Sequence, residues 1–152
     1  MRINSTVAAV LFVLATGAAR VNAQAPEPKW GPAPAVFPSG AKMAVLQGDP
    51  SKSGLFIIRL DMPDGYTIAP HWHPTDEHVT VIKGTFLVGM GDHIDPAKML
   101  SLPAGGFITA GATMHHYARA KGHAVVQVSA MGPFALTYVN PSDDPTKKVA
   151  GR

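Results

Sequence analysis

The feature that most constrains the fold is the β-rich rhythm of residues 41–140. Short runs of β-branched and aromatic residues alternate in this segment with glycine, proline and aspartate, which favour turns. No stretch long enough for a substantial helix repeats its apolar residues at the helical period. Many short strands in one segment pack best as a closed double sheet, because closure protects the sheet edges and leaves an interior. The pattern therefore predicts an all-β jelly-roll barrel, also called a double-stranded β-helix.

The predicted strands are short, and recognisable turn residues separate most of them. Two of the predicted turns, Lys83-Gly84 and Lys121-Gly122, divide longer β-rich stretches into separate strands. Strands are predicted at residues 42–46, 54–62, 67–72, 78–82, 85–90, 99–102, 106–109, 115–118, 124–130 and 134–139.

Residues 1–23 have the features of a secretory signal peptide. Arg2 gives a positive start, residues 7–19 form an apolar run, and Val21-Asn22-Ala23 offers a site where a signal peptidase could cut. The apolar run is too short to favour a stable transmembrane span, although an uncleaved signal-anchor helix is the alternative. We therefore expect export across the cytoplasmic membrane to the periplasm, with no stable membrane insertion after the leader is removed.

The segments that flank the predicted barrel differ from it in composition. Residues 24–40 contain five prolines, which favour an extended polyproline-like spacer over a packed element, with part of it along the barrel edge. Residues 141–152 are polar and begin with a Pro-Ser-Asp-Asp-Pro run, so an exposed, partly disordered tail is expected. The chain is thus divided into a leader, a spacer, one barrel at residues 41–140 and a tail.

Charge and cysteine content exclude several kinds of partner and site. Without the leader residues Arg2 and Arg20, 11 of the 13 basic residues remain against 10 acidic ones, so the mature chain is nearly neutral. No mature segment clusters Lys or Arg as a phosphate-binding surface does, so no nucleic-acid partner is expected. The chain contains no cysteine, which removes both disulfides and thiolate ligands.

A cluster of histidine and acidic residues lies at the end of the third predicted strand. His71 and His73 are two positions apart, so both imidazoles lie on the same face of a strand. Pro74 ends the strand, and the turn that follows can bring Glu77 back across the same interior. Two imidazoles and a carboxylate suit one divalent transition metal ion: Fe(II), Mn(II), Ni(II) or Zn(II). Burial of these unpaired groups without an ion would be costly.

The spacing of this cluster resembles the first motif of the cupin superfamily. That motif runs glycine, five residues, His-x-His, three or four residues, glutamate, six residues and glycine. Every interval is met here by Gly65, His71, His73, Glu77 and Gly84. The resemblance implies a cupin barrel in which the two histidines and the glutamate bind a metal and the glycines occupy turns. The stretches at residues 70–78 and 138–141 also resemble a subgroup of small exported single-domain cupins.

The second cupin motif is only partly present. It runs glycine, five residues, Pro-x-Gly, two residues, histidine, three residues and asparagine, and its histidine completes the metal set. With Gly105 as the first glycine, His116 takes the histidine position. Gly111, Thr113 and Ala120 then stand where proline, glycine and asparagine are usual.

The resemblance implies one divalent ion held by four ligands: His71, His73, Glu77 and His116. His115 is a rival for the fourth position, but the alternation of a strand places it on the neighbouring face. By the same alternation, His78 is expected to face away from the site, and His93 and His123 are expected at the surface beside turns.

Strand alternation also predicts the surroundings of the ion. An apolar pocket is expected, lined by Ala69, Val79, Val81 and Ala118. Gln127 is a candidate for the hydrogen bond that orients one of the ligand imidazoles.

The reaction stays open among three hypotheses. The leading one is a metal-dependent oxidoreductase of the dioxygenase type that acts on a small organic molecule, with Glu77 able to serve as a catalytic base. The second is an isomerase or lyase that uses the ion as a Lewis acid. The third is a non-catalytic module that binds a small molecule or stores metal. Cupins also tend to pair through their sheets, which implies a homodimer by analogy.

Overall fold

The computed structural model describes residues 27–148, in which nine antiparallel β-strands follow one another through short loops. The leader predicted at residues 1–23 lies outside this range. The strands are β1 (Gly31–Pro32), β2 (Lys42–Gln47), β3 (Gly54–Met62), β4 (Thr67–Trp72), β5 (Glu77–Met90), β6 (Leu100–Pro103), β7 (Phe107–Ala110), β8 (His116–Gly132) and β9 (Thr137–Tyr138). The helical elements of the described residues are two 3₁₀ turns, Pro96–Lys98 and Pro141–Asp143, and one short helix, α1 (Pro145–Lys148). Within residues 27–148, no helix has the length and apolarity needed to cross a membrane.

The core lies inside the curled sheet, and the residue pattern of β3 shows why. Phe56, Ile58, Leu60 and Met62 alternate with more exposed residues, so one face of the strand is buried in the interior. Burial of each large apolar side chain stabilises the fold by about 1.5–3 kcal/mol.

Two long strands, β5 and β8, close the sheet. β8 pairs with β3 through residues 124–132 and with β4 through residues 116–119. β5 pairs with β8 along most of its length, and its two halves also pair with β7 and β6. This curled antiparallel arrangement confirms the predicted all-β jelly-roll class.

Two of the predicted turns are wrong, because the strands on either side of each are continuous. Gly84 and Gly122 have positive φ values of 76° and 70°, and the pairing register shifts beside Gly84. A glycine in this conformation bends a strand through a bulge without ending it. At Gly84 a Cβ atom would lie 2.2 Å from the carbonyl oxygen of His123, so only glycine lets β5 and β8 approach. The predicted strands that merge into β5 and β8 are 78–82 with 85–90 and 115–118 with 124–130.

The last predicted strand, at residues 134–139, is shorter than expected. Only Thr137–Tyr138 pairs as β9, because the preceding residues leave the ladder and make separate contacts. The backbone N–H of Phe134 donates to the carbonyl of Pro50 at 2.6 Å. In the tail, residues 141–148 form a 3₁₀ turn and α1, which is more order than the sequence predicts.

Residues 31–41 pack against the barrel more closely than an extended spacer would. β1 pairs with β2, and Phe37 belongs to the core with only 6% of its surface exposed. The hydroxyl groups of Tyr66 and Tyr138 donate hydrogen bonds of 2.6 and 2.8 Å to backbone carbonyl groups of this segment. The segment therefore forms part of the wall around the barrel interior.

Candidate metal centre

Four polar side chains converge inside the barrel, where β4 ends and where β5 and β8 begin. The register of β4 and β8 places His71 opposite His116. His73 follows the end of β4, and Glu77 is the first residue of β5. The three histidines are 3% exposed and Glu77 is 9% exposed, although the core around them is apolar. The structure thus brings together the four side chains that the sequence singles out.

The atoms that could bind a metal face one another. One nitrogen of each of the three imidazoles lies within 4.8 Å of the other two. The carboxylate of Glu77 lies 3.6 Å from Nε2 of His73 and 3.4 Å from Nε2 of His116. Three imidazoles at this separation can hold one metal ion.

Backbone carbonyl groups orient all three imidazoles. Because a carbonyl oxygen can only accept a hydrogen bond, each Nδ1 atom carries the proton and donates it. The Nε2 atom of a neutral ring is then the unprotonated nitrogen, and its lone pair is directed into the cluster. The donors His71, His73 and His116 lie 2.8, 2.8 and 3.0 Å from the carbonyl oxygens of Ala69, Ala135 and Met114, respectively.

Two of the inward nitrogens lack a partner. Nε2 of His73 and Nε2 of His116 are buried and form no hydrogen bond within the described part of the chain. Their contacts with Glu77 do not have the length and alignment of a hydrogen bond. A buried polar atom left without a partner costs about 1–3 kcal/mol. An ion at this point would satisfy both nitrogens, so the residues fit a metal.

Electrostatics favour the neutral imidazoles of His71 and His73 and the ionised carboxylate of Glu77, which are the forms that bind a metal. Burial, together with the neighbouring His116 and His73, lowers the pKa of His71 to about 3. Burial also lowers the pKa of His73, despite the opposing charge of Glu77. Burial alone would raise the pKa of Glu77, but the three histidines outweigh it and the pKa falls. Burial alone would lower the pKa of His116, but the neighbouring Glu77 carboxylate outweighs burial and raises it.

Comparison with known structures identifies the architecture. The polyketide cyclase RemF from Streptomyces resistomycificus has a TM-score of 0.64 at 15% identity, over 82% of this chain and 88% of that chain. A candidate acetylacetone dioxygenase from Methylibium petroleiphilum PM1 has a TM-score of 0.61 at 22% identity, over 95% of this chain and 90% of that chain. An RmlC-like cupin from Shewanella frigidimarina NCIMB 400 has a TM-score of 0.53 at 16% identity, over 69% and 84%. The chain has the cupin fold. Neither a protein-family model nor a curated protein matches the sequence.

The positions at which the two cupin motifs have glycine adopt positive φ values, which favour glycine. Thr113 stands where the second motif usually has glycine, and its φ of 62° is uncommon for a β-branched residue. Its N–H donates to the carbonyl of His73 at 2.8 Å, so this turn ties the loop before His116 to the end of β4. Positive φ values of 73°, 76° and 84° are also found at the motif glycines Gly65, Gly84 and Gly105.

The remaining histidines lie outside the cluster. His115, the rival for the fourth position, has a side chain that is 38% exposed and pairs with Asp92. His78 faces outward from β5, on the side opposite Glu77. His93 and His123 are exposed, as the sequence predicts.

The surroundings of the cluster differ in part from the predicted set. Ile68 lines the cavity in place of Ala69, because a β-bulge between Ile68 and His71 shifts the alternation of β4 by one residue. Val81 packs in the core but does not line the cavity. The prediction is confirmed for Val79 and Ala118.

The prediction for Gln127 is wrong. Its side-chain oxygen accepts a hydrogen bond from Nε of Arg59 at 3.3 Å, away from the three ligand imidazoles. Backbone carbonyls orient the imidazoles instead, and because every residue type supplies a carbonyl, the sequence gives no signal for them.

Phe134 has no counterpart among the predictions either. Its ring stacks on His73 with the ring centroids 4.8 Å apart, and only the irregular path between β8 and β9 brings it there.

The four side chains face a small cavity of about 30 Å³. Apart from these four, the described side chains that line it are all apolar, among them Phe86, Val88 and Ile108. A space of this size holds roughly one or two water molecules. A small ion and its water fit the cavity, whereas an organic ligand requires a side chain to move.

Proposed function

We propose that this protein is a metal-dependent enzyme, and that His71, His73, Glu77 and His116 hold one Fe(II), Mn(II), Ni(II) or Zn(II) ion. The observation that carries the proposal is the pair of buried Nε2 atoms without partners, on rings whose Nδ1 atoms are held by backbone carbonyls. An ordinary buried histidine uses both nitrogens in hydrogen bonds, because an unsatisfied one is costly.

The donor set favours a reactive centre over a purely structural one. Three nitrogens and one carboxylate leave up to two positions of an octahedral ion for substrate, dioxygen or water. A redox-active ion held there would supply the activation of dioxygen and of a coordinated substrate. The chain contributes fixed ligand orientation through its carbonyl contacts and an apolar shell that excludes bulk water.

The cavity lining supports a small uncharged organic molecule as substrate. A carboxylate or phosphate group that is not bound to the ion would lose its hydration there without gaining a cationic side chain, because the other described lining residues are apolar. An uncharged molecule with one or two oxygen atoms loses much less on entering. Acetylacetone, for which the candidate dioxygenase from Methylibium petroleiphilum is named, is an uncharged dicarbonyl compound of this class.

The same lining favours oxidoreductase chemistry of the dioxygenase type. An isomerase or lyase needs a group that moves a proton, and Glu77 is the one carboxylate among the described lining residues. If Glu77 is a metal ligand, its basicity is reduced and proton transfer by it is slowed. As a ligand, Glu77 would therefore serve poorly as the proton-transfer group that the Lewis-acid alternative needs.

Metal analysis with matched variants tests the site. Wild-type protein reconstituted with Fe(II) or Mn(II) is expected to retain about one ion per chain after desalting. His73→Ala is expected to lose most of this metal, whereas His78→Ala, which changes an outward histidine next to Glu77, is expected to keep it. Equal metal retention by the two variants would contradict the proposed ligand set.

Oxygen consumption tests the reaction class. Iron-loaded protein is expected to consume oxygen with some uncharged dicarbonyl or phenolic compounds and not with matched carboxylates of the same size. Turnover that proceeds equally with Zn(II) would favour the isomerase or lyase. If no substrate turns over and water in the shell of a Mn(II) form does not exchange, the binding module is favoured over both enzymes.

A further inference from the structure

The metal cavity is narrow, and the inward Nε2 atoms of His73 and His116 have almost no solvent-accessible surface. Its three histidines are 3% exposed, and its volume of about 30 Å³ is smaller than any organic substrate needs. A substrate, or a metal ion with its hydration shell, can therefore reach the Nε2 atoms only if part of the wall moves.

One part of the wall is a single layer of side chains. On its outer side lies a surface groove of about 200 Å³, bordered by Pro34, Pro50 and Ser51. The groove and the cavity share four lining residues, so the same side chains contact both spaces. The shared residues are Phe37, Ile58, Phe134 and Leu136.

Phe134 is the least buried member of this layer. Ile58 lies in β3, which pairs on both sides with β2 and β8, and it is 2% exposed. Phe37 and Leu136 are also buried, at 6% and 9%. Phe134 is only partly buried and lies between β8 and β9, outside any strand. Local openings of low free energy are more common at such positions, where no ladder hydrogen bonds hold the chain.

Hydrogen bonds fix the backbone around Phe134, whereas its ring is held by aromatic packing alone. The N–H of Phe134 donates to the carbonyl of Pro50, and the carbonyl of Ala135 accepts a hydrogen bond from Nδ1 of His73. The ring stacks on His73 and Phe37, with centroids 4.8 and 6.4 Å away, and meets the ring of Phe56 edge-on at 5.4 Å. Rotation of the side chain would thus open the wall without displacing the carbonyl that orients His73.

We propose that the ring of Phe134 is a gate between the surface groove and the metal cavity, and that it determines the size of the uncharged molecule that reaches the site. The proposal builds on the proposed function, because it assigns an access route to the same site. The groove supports it further: its lining is apolar except for Ser51, which matches the cavity and offers no anchor for a charged ligand.

Carbethoxylation of histidine in the metal-free protein tests the gate. Diethyl pyrocarbonate is a small uncharged reagent that acylates unprotonated imidazole nitrogen, and peptide mass spectrometry reports the rate at His73. Phe134→Ala is expected to raise this rate about tenfold, which corresponds to removal of an opening cost of about 1.4 kcal/mol. Phe134→Trp is expected to lower it. The exposed His93 and His123 supply reference rates within the same sample.

Phe86→Ala is the matched control. Phe86 also lines the cavity, yet it does not border the groove, so its removal enlarges the interior without opening this wall. The rate at His73 is expected to stay at the wild-type value in Phe86→Ala under conditions where both variants are fully folded. Equal acceleration in the two alanine variants, or no acceleration in Phe134→Ala, would overturn the gate. If Phe134→Ala does not fold, Phe134→Leu and Phe134→Trp are compared, and changes in the same direction would overturn it.

Zinc exchange separates a gate from a residue that positions His73. A gate changes the rates of zinc uptake and of zinc removal by a chelator by the same factor, so the Kd stays constant. A positioning role changes the Kd, mainly through faster release. Protein that binds no metal at all would refute the proposed function, while the carbethoxylation rates of the metal-free protein would still decide the gate.

Discussion

Replacement of Thr113 by glycine is expected to stabilise the protein, although glycine usually destabilises a folded chain. The φ of Thr113 is 62°, and a residue other than glycine in this region stores about 1–3 kcal/mol of strain. Glycine removes the strain but costs about 0.4–1 kcal/mol, because it increases the conformational freedom of the unfolded chain. The difference between the middles of these ranges is a gain of about 1 kcal/mol in the free energy of unfolding. The side chain is exposed, so the substitution removes no buried contact.

Ala112→Gly in the same loop is the matched control. Ala112 is also exposed but does not adopt a positive φ, so its replacement brings only the entropic cost of about 0.4–1 kcal/mol. Urea unfolding of the metal-free proteins measures both changes through the midpoint. The midpoint is expected to rise for Thr113→Gly and to fall for Ala112→Gly. A fall in both would show that Thr113 is not strained, and that the glycine of the second cupin motif has no counterpart at this position.

Three further outcomes are expected. Gly84→Ala should lower the free energy of unfolding by about 3 kcal/mol, because its Cβ would lie 2.2 Å from a carbonyl oxygen of β8. Gly91→Ala, with a positive φ but open space, should lose only about 1–2 kcal/mol in the same urea assay, and equal losses would contradict the close approach of β5 and β8. Burial and then two nearby aspartates raise the pKa of the Tyr138 phenol to about 12. Because the folded-state pKa is raised, stability should hold below about pH 10 and decline towards pH 12, a decline that Tyr138→Phe should reduce. Addition of Zn(II) at a hundred times its Kd should raise the free energy of unfolding by about 2.7 kcal/mol in the wild type. The same concentration should have little effect on His73→Ala, and equal stabilisation in calorimetry would argue against this ligand set.

The fold could be predicted from the sequence because two independent patterns agree. Buried and exposed residues alternate along β3, and turn residues follow most strands. The continuity of β5 could not be predicted, since Lys83-Gly84 has the composition of a turn. Only the pairing of β5 with β8 shows that Gly84 forms a bulge, and a pairing between distant segments is not visible in either segment alone.

The candidate site could be predicted from the sequence because most of its side chains lie close together along the chain. Three of the four lie within seven residues, and strand geometry relates His71 to His73. The bulge after Ile68 could not be predicted, and it explains why the alternation gave Ala69 as a lining residue. Neither the orienting carbonyls nor Phe134 has a side-chain signature, because the path of the backbone alone brings them to the imidazoles.

The convergence of the four side chains on a single ion is tested most directly by anomalous X-ray scattering from crystals soaked with Zn(II) or Mn(II). One strong peak is expected inside the barrel, about 2.0–2.2 Å from Nε2 of the three histidines and from a carboxylate oxygen of Glu77 if the ion is zinc. A peak only at the exposed His115 and Asp92 pair, or an interior without a peak at saturating metal, would contradict it.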